Sequence, residues 1–106
     1  MTRLDHLLWK VSEECNEVGK RASKAARFGI SEVQPGKTET NAFRLVREYL
    51  DLQVSMTMLC DEDPRVRDAF AELFGGHPGY ATQVRAKIEH FLEYSRQQGT
   101  LIDGKA

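Results

Sequence analysis

Four carboxylates in two pairs are the residues of this sequence with the clearest chemical potential. Glu14 and Glu17 are three residues apart, and so are Glu48 and Asp51. Side chains with this spacing share one face of an α-helix, so two adjacent helices would gather all four groups. Gathered carboxylates repel one another unless a cation compensates them, and Mg²⁺ or Mn²⁺ prefers such oxygen ligands. The spacing therefore predicts a divalent-metal site.

The elements that must position these groups are helices. Apolar residues recur at steps of three and four from Leu4 to Ala25, which is typical of an amphipathic helix. Gly29, Thr40 and Pro64 supply stop, cap and start signals further along. The patterns predict helices over residues 4–27, 42–60, 64–74 and 80–98, a turn at Pro35-Gly36, and a frayed tail to Ala106. The predicted fold class is all-α, a small helical bundle of about four helices.

The second predicted helix is apolar around most of its circumference, which indicates a central, buried helix. Glu48 and Asp51 nevertheless fall with Arg44 and Ser55 in one arc of roughly 60°. Buried carboxylates are costly unless they are paired or bind a metal. This acidic arc therefore favours metal binding. Asn41, at the start of the helix, is predicted to be a cap rather than a ligand.

A solvated face with local ion pairs is the competing interpretation. Residues four apart on a helix can pair, and three oppositely charged pairs have this spacing: Glu17 with Arg21, Arg44 with Glu48, and Arg47 with Asp51. Lys10 lies three residues before Glu13. These pairs would neutralise the acidic groups without an ion.

Length and composition limit the kinds of protein that this chain can be. A chain of 106 residues predicts one domain, over residues 1–106, with a single core. A net charge of −1 predicts neither stable nucleic-acid binding nor membrane attraction, although a local basic patch is compatible with it. The two cysteines, Cys15 and Cys60, form no zinc motif and are expected to be buried thiols rather than a disulfide. No signal-peptide or transmembrane stretch is apparent, so a cytoplasmic protein is expected.

Both acidic elements resemble those of a known family. Glu13-Glu14-Cys15-Asn16-Glu17 matches the EExxE element, and Glu48-Tyr49-Leu50-Asp51 the ExxD element, of the MazG-like all-α nucleoside triphosphate pyrophosphatases. EExxE alone is common on Glu-rich helices, but EExxE followed by ExxD on the next helix is much more specific. The segments that resemble small phage-type and bacterial members are Arg21 to Gly29, Gln34-Pro35-Gly36 and Lys87 to Arg96.

The resemblance implies an activity and a set of roles. The enzyme would cleave a (d)NTP between the α and β phosphates, giving the monophosphate and pyrophosphate. Mg²⁺ or Mn²⁺ would be held by Glu14, Glu17, Glu48 and Asp51, and Glu17 is the candidate general base. Glu13 is the weaker ligand candidate, because it lies opposite the apolar stripe. The family also implies a homodimer or homotetramer.

The triphosphate needs cations from the protein as well. Arg21, Lys24 and Arg27 follow the acidic motif directly, and a basic helix end favoured by the helix dipole is their alternative role. Lys87 and Tyr94 are further substrate-binding candidates by resemblance. Two alternative functions stay open: a non-catalytic helical module for oligomerisation, and a phosphoribosyl-ATP pyrophosphohydrolase-like enzyme, which shares the fold.

Overall fold

The computed structural model describes residues 1–102 and is mostly α-helical. Its helices are α1 (Arg3–Phe28), α2 (Asn41–Glu62), α3 (Pro64–Phe70), a π-helical segment (Ala71–Gly75) and α4 (Tyr80–Gln97). Within residues 1–102 no strand forms, although Val33 and Thr40 make an isolated antiparallel bridge. The predicted all-α class is confirmed. Residues 103–106, part of the predicted frayed tail, lie outside the described residues.

The chain divides into two compact units, Met1–Arg67 and Asp68–Ala106. The single domain predicted over residues 1–106 would span both. In the first unit, α1 and α2 pack against each other, and contacts at both ends of the pair show that they run antiparallel. Arg3 Nε donates to Glu62 Oε2 at 2.8 Å at one end, and Asn41 Nδ2 donates to the Gly29 carbonyl at 2.9 Å at the other.

Helix α1 begins and ends at capping groups that the local sequence supplies. Thr2 Oγ1 accepts from the Asp5 N–H at 3.1 Å, while Asp5 Oδ2 accepts from the Thr2 N–H at 2.9 Å. This capping box satisfies two amides at the helix start, and the bond from the Thr2 backbone lowers the pKa of Asp5. At the other end, Gly29 has φ 103°, and its N–H donates to the Ala25 carbonyl at 2.9 Å. The predicted glycine stop is confirmed.

The connection between α1 and α2 is held down by its own hydrogen bonds. Thr40 Oγ1 caps α2 by accepting from the Phe43 N–H at 3.1 Å, as predicted. Asn41 is not a cap, so that prediction is wrong. Its side chain is 2% exposed, and Nδ2 donates to the Gly29 carbonyl and, at 3.2 Å, to Glu32 Oε1. Asn41 therefore ties the start of the connection to the first turn of α2.

Helix α2 is not buried almost all round, which corrects the sequence prediction. Its buried residues are Asn41, Ser55 and Leu59. Its large apolar residues that are exposed are Phe43, Val46, Tyr49, Leu50, Val54 and Met58. The physical reason is that α1 covers only one face of α2 within the unit. Cys15 is also exposed rather than buried; both cysteines are free thiols, as predicted.

The junction between α2 and α3 centres on Asp63, a mostly buried residue. Its Oδ1 accepts from the Arg65 N–H at 2.9 Å, and Arg65 Nη2 lies 2.6 Å from Oδ2. These bonds, the side-chain one above all, lower the pKa of Asp63 to about 2. Asp63 thus caps the helix that begins at Pro64, as the sequence predicts.

The second unit carries an aromatic group next to its π-helical segment. The rings of Phe70 and Phe74 stack at 5.8 Å, and Tyr80 meets Phe74 edge-on at 5.5 Å. The predicted helix over residues 64–74 is divided into an α-helical part, which ends at Phe70, and a π-helical part.

None of the helices described for residues 1–102 has the length and apolar character needed to cross a membrane.

Candidate metal centre

Three of the four predicted carboxylates meet between α1 and α2. Glu14, Glu48 and Asp51 each offer one oxygen, and these oxygens all lie within 4.8 Å of one another. Glu48 and Asp51 share a face because they are one turn apart on α2. The antiparallel packing of the pair then brings Glu14 of α1 opposite them.

Glu17 lies outside this group of three. It follows Glu14 by one turn on α1 and is half-buried. Glu13 points elsewhere: its side chain is exposed, and its ion-pair partner within residues 1–102 is Lys10, at 3.5 Å. The two remaining acidic residues of the first motif therefore differ, since Glu17 adjoins the group by its position on the helix and Glu13 faces solvent.

Lys10 is the one cation in ion-pair contact with the group among residues 1–102. Its Nζ lies 3.1 Å from Glu14 Oε1, and the hydrogen bond to Glu14 raises the pKa of Lys10. The Glu14 side chain is 12% exposed, so this contact is shielded from solvent on the carboxylate side. One ammonium against three carboxylates leaves the group with an excess of negative charge.

The three local ion pairs expected for an ordinary solvated face are absent from the described residues. Arg44 Nη1 donates to Gln34 Oε1 at 2.8 Å instead of pairing with Glu48. Arg47 pairs with Glu39 rather than Asp51. Arg21 Nη1 is buried without a hydrogen-bond partner. The pairs of the competing interpretation are therefore not formed, and on α2 the reason is that residues of the connection bind Arg44 and Arg47 instead.

The donor set fits a hard divalent cation. All three groups are carboxylates, and Mg²⁺ and Mn²⁺ select oxygen ligands over nitrogen and sulfur. Asp51 is exposed while Glu14 and Glu48 are partly buried, so an ion would be reachable from solvent and yet partly enclosed. These residues match the chemistry of Mg²⁺.

A group of cations lies further along the same helix pair. Arg21 and Lys24 continue the face of α1 that carries Glu14 and Glu17, and Arg44 lies on α2. Within residues 1–102, five basic residues here form no ion pair: Lys20, Arg21, Lys24, Arg27 and Arg44. Partial burial, followed by the charges of its basic neighbours, lowers the pKa of Lys24. We call Arg21, Lys24 and Arg44 the basic end, and Glu14, Glu48 and Asp51 the acidic end.

The other predicted substrate-binding residues are Arg27, Lys87 and Tyr94. The Arg27 guanidinium stacks over the Phe28 ring, 5.1 Å from its centroid. Lys87 and Tyr94 belong to α4 in the second unit, and both are exposed.

A cavity beside the basic end was not predicted. It has a volume of about 280 Å³ and is lined by Lys24, Phe28, Glu32, Gln34 and Pro35. The length of the connection, residues 30–40, was the one signal in the sequence, because long loops are often functional.

Comparisons with family models, curated proteins and solved structures gave no match for this chain.

Proposed function

We propose that this protein is a Mg²⁺-dependent nucleoside triphosphate pyrophosphohydrolase of the MazG-like type. One observation carries the proposal: three carboxylates converge on one point of the helix pair while unpaired cations collect beside them. A magnesium–triphosphate complex has the complementary charges, because its metal meets carboxylates and its phosphates meet arginine and lysine. The EExxE and ExxD elements supply the resemblance that names the reaction.

Each group has a role in this proposal. Glu14, Glu48 and Asp51 would hold the ion, which would supply neutralisation of phosphate charge and a lowered pKa for a nearby water. Glu17, one turn from Glu14, would act as the general base toward the attacking water. Arg21 and Lys24 then bind phosphate oxygens.

Arg21 is the cation best prepared for a phosphate. An unpartnered guanidinium nitrogen in a buried position lacks the hydrogen bond that would offset its desolvation. A phosphate oxygen would supply that bond, and guanidinium–phosphate contacts are among the stronger hydrogen bonds.

The test is the identity of the released phosphate. The protein is incubated with a panel of NTPs, dNTPs and phosphoribosyl-ATP in the presence of Mg²⁺ or Mn²⁺. We expect pyrophosphate and the corresponding monophosphate from at least one of them. Turnover of phosphoribosyl-ATP alone would favour the related alternative. Release of orthophosphate, or no turnover with either metal, would contradict the proposal.

Homo-oligomerisation is a second candidate property, and the exposed face of α2 favours it. Six large apolar side chains on one 22-residue helix are 42% to 60% exposed. A contiguous apolar surface of this kind is typical of protein interfaces. We propose a homodimer or homotetramer that covers this face. Sedimentation equilibrium should give a mass two or four times 12.1 kDa; a monomer that persists at high concentration would rule it out.

A further inference from the structure

The cavity at the basic end combines two kinds of surface. Phe28 and Pro35 give it apolar walls, and Phe28 is 50% exposed although the Arg27 guanidinium lies over its ring at 5.1 Å. Glu32, Gln34 and Lys24 add a carboxylate, an amide and an ammonium. An aromatic wall with a few polar groups is the usual lining of a small-molecule site. A volume of about 280 Å³ suits one part of a nucleotide rather than the whole molecule.

The polar groups are held in fixed positions. Glu32 Oε1 accepts from Asn41 Nδ2 at 3.2 Å, and its backbone carbonyl accepts from the Asn41 N–H at 2.9 Å. Gln34 Oε1 accepts from Arg44 Nη1 at 2.8 Å, which turns its NH₂ group away from that contact. Among the described residues, the second oxygen of Glu32 has no partner. One carboxylate oxygen and one amide NH₂ are therefore available to a ligand.

The cavity lies about one nucleotide away from the acidic end. Glu14 of the acidic end and Lys24 are ten residues apart on α1, which corresponds to about 15 Å along the helix axis. Arg21 lies between them. A ligand whose phosphates lie beside Arg21 and Lys24 thus brings its other end to Phe28.

We propose, resting on the nucleotide pyrophosphohydrolase assignment above, that this cavity is the nucleobase pocket and that it selects bases with an exocyclic amino group. A base stacks on Phe28 against Pro35. The available Glu32 oxygen accepts a hydrogen bond from the amino group. A carbonyl oxygen at the same position of the base would meet the carboxylate with like polarity, so the amino-bearing base of each matched pair binds better. Phosphate alone is a poor occupant, because Glu32 repels it.

The test uses substrate pairs that differ at the amino position. CTP carries an amino group where UTP carries a carbonyl, and ATP carries one where ITP carries a carbonyl; in each carbonyl-bearing member the adjacent ring nitrogen also carries a hydrogen. For the wild-type protein we expect kcat/KM to be about 10-fold higher for the amino-bearing member, the worth of one hydrogen bond to a charged group. E32Q, which keeps an oxygen acceptor for Asn41, should bring the ratio close to one. F28L should raise KM for all four substrates about 10-fold, because it removes the stacking face.

F91L is the matched control, because it makes the same substitution as F28L at another exposed phenylalanine, 64% exposed, that does not line the cavity. KM and the CTP/UTP ratio should both stay unchanged. Circular dichroism confirms that each variant folds.

Calorimetry with α,β-methylene analogues of the same nucleotides gives a readout independent of turnover. Tighter binding of the CTP analogue than of the UTP analogue, lost in E32Q, supports the pocket even if no pyrophosphate is released. If the wild type releases pyrophosphate but the ratios and affinities are the same in wild type, E32Q and F28L, the pocket is overturned while the proposed reaction stands. Equal binding of tripolyphosphate and the nucleotide analogues would likewise overturn it.

Discussion

The acidic end and the basic end lie on the same two helices, but the first gathers carboxylates and the second gathers cations. At the acidic end, three carboxylates come within 4.8 Å of one another with one lysine beside them. At the basic end, Arg21, Lys24 and Arg44 have no carboxylate partner among residues 1–102, although Glu17 is four residues from Arg21. Opposite charges that could have paired are instead kept apart.

This separation indicates which charges serve folding and which do not. Elsewhere the first unit pairs its charges in the ordinary way, as Arg3 does with Glu62 and Arg65 with Asp63. Grouping like charges costs Coulomb energy that local pairing would have recovered. Groups that a fold leaves uncompensated are candidates for binding. A ligand with a positive and a negative part satisfies both ends at once.

Removal of Glu48 should break the acidic end and give the largest effect. E48Q keeps the size of the side chain and removes one of the three charges. We expect the affinity for Mg²⁺ or Mn²⁺, measured by calorimetry, to fall by about 100-fold or more, because each charge contributes strongly at this range. E13Q is the control, since Glu13 is exposed and its ion-pair partner within residues 1–102 is Lys10. Unchanged metal binding in E48Q would remove the metal site.

Removal of Arg21 should break the basic end alone. R21M keeps the apolar stem and removes the unpartnered guanidinium. We expect KM for nucleoside triphosphates to rise about 10-fold, the worth of a charge-assisted hydrogen bond, with divalent-ion affinity unchanged. R47M is the matched control, because Arg47 is a cation of the same helix pair that is already neutralised by Glu39. An equal rise of KM in both variants would show that Arg21 contributes only its positive charge and makes no specific contact with the substrate.

The Asp63–Arg65 ion pair is one of the charge pairs that serve folding. Removing it should change the stability of the protein, and this is the smallest of the expected effects. The pKa of Asp63 is about 2 in the folded chain, below its ordinary value of 3.8. A carboxyl whose pKa is lowered by folding stabilises the protein above its ordinary pKa, and this contribution is lost as the pH falls from about 4 to about 2. D63N, which retains a capping side chain, should unfold with a weaker pH dependence in that interval.

Thermal unfolding followed by circular dichroism from pH 2 to pH 5 measures this difference. The effect should be small because the Arg65 side chain is 83% exposed and solvent screens the pair. Glu13→Gln serves again as the control for loss of an exposed carboxylate. Identical pH profiles for D63N and the wild type would assign the acid sensitivity to other groups.

The helices could be predicted from the sequence because their signals are local. The apolar periodicity, the Gly29 stop, the Thr40 cap and the Asp63-Pro64 start placed the ends of α1 and α2 within a few residues of those observed. The convergence of Glu14 with Glu48 and Asp51 was expected from two i, i+3 spacings on helices assumed to lie side by side, while Glu17, expected with them, lies outside the group. The helix signals and the spacings depend on neighbours in the chain.

Exposure and partner choice could not be predicted in the same way. An apolar circumference does not say how many neighbours cover a helix, so the half-exposed state of α2 was missed. Arg44 and Arg47 have possible partners both on α2 and in the connection, and the folded path of residues 30–40 determines that Gln34 and Glu39 are the ones they bind. The cavity was missed for the same reason, since it exists only once that path is known.

The hydrogen bonds from Asn41 to Gly29 and Glu32 also determine where the chain can change in length. Gly29 and Glu32 are both held by one buried side chain, so an inserted residue between them would carry the Glu32 carboxylate out of reach of Asn41 Nδ2. The turn from Gln34 to Lys37 is closed by a single backbone bond of 3.0 Å and is exposed at Gly36. Insertions and deletions over evolution are therefore expected at the tip of this connection, around Gly36, while the segment from Gly29 to Glu32 keeps its length.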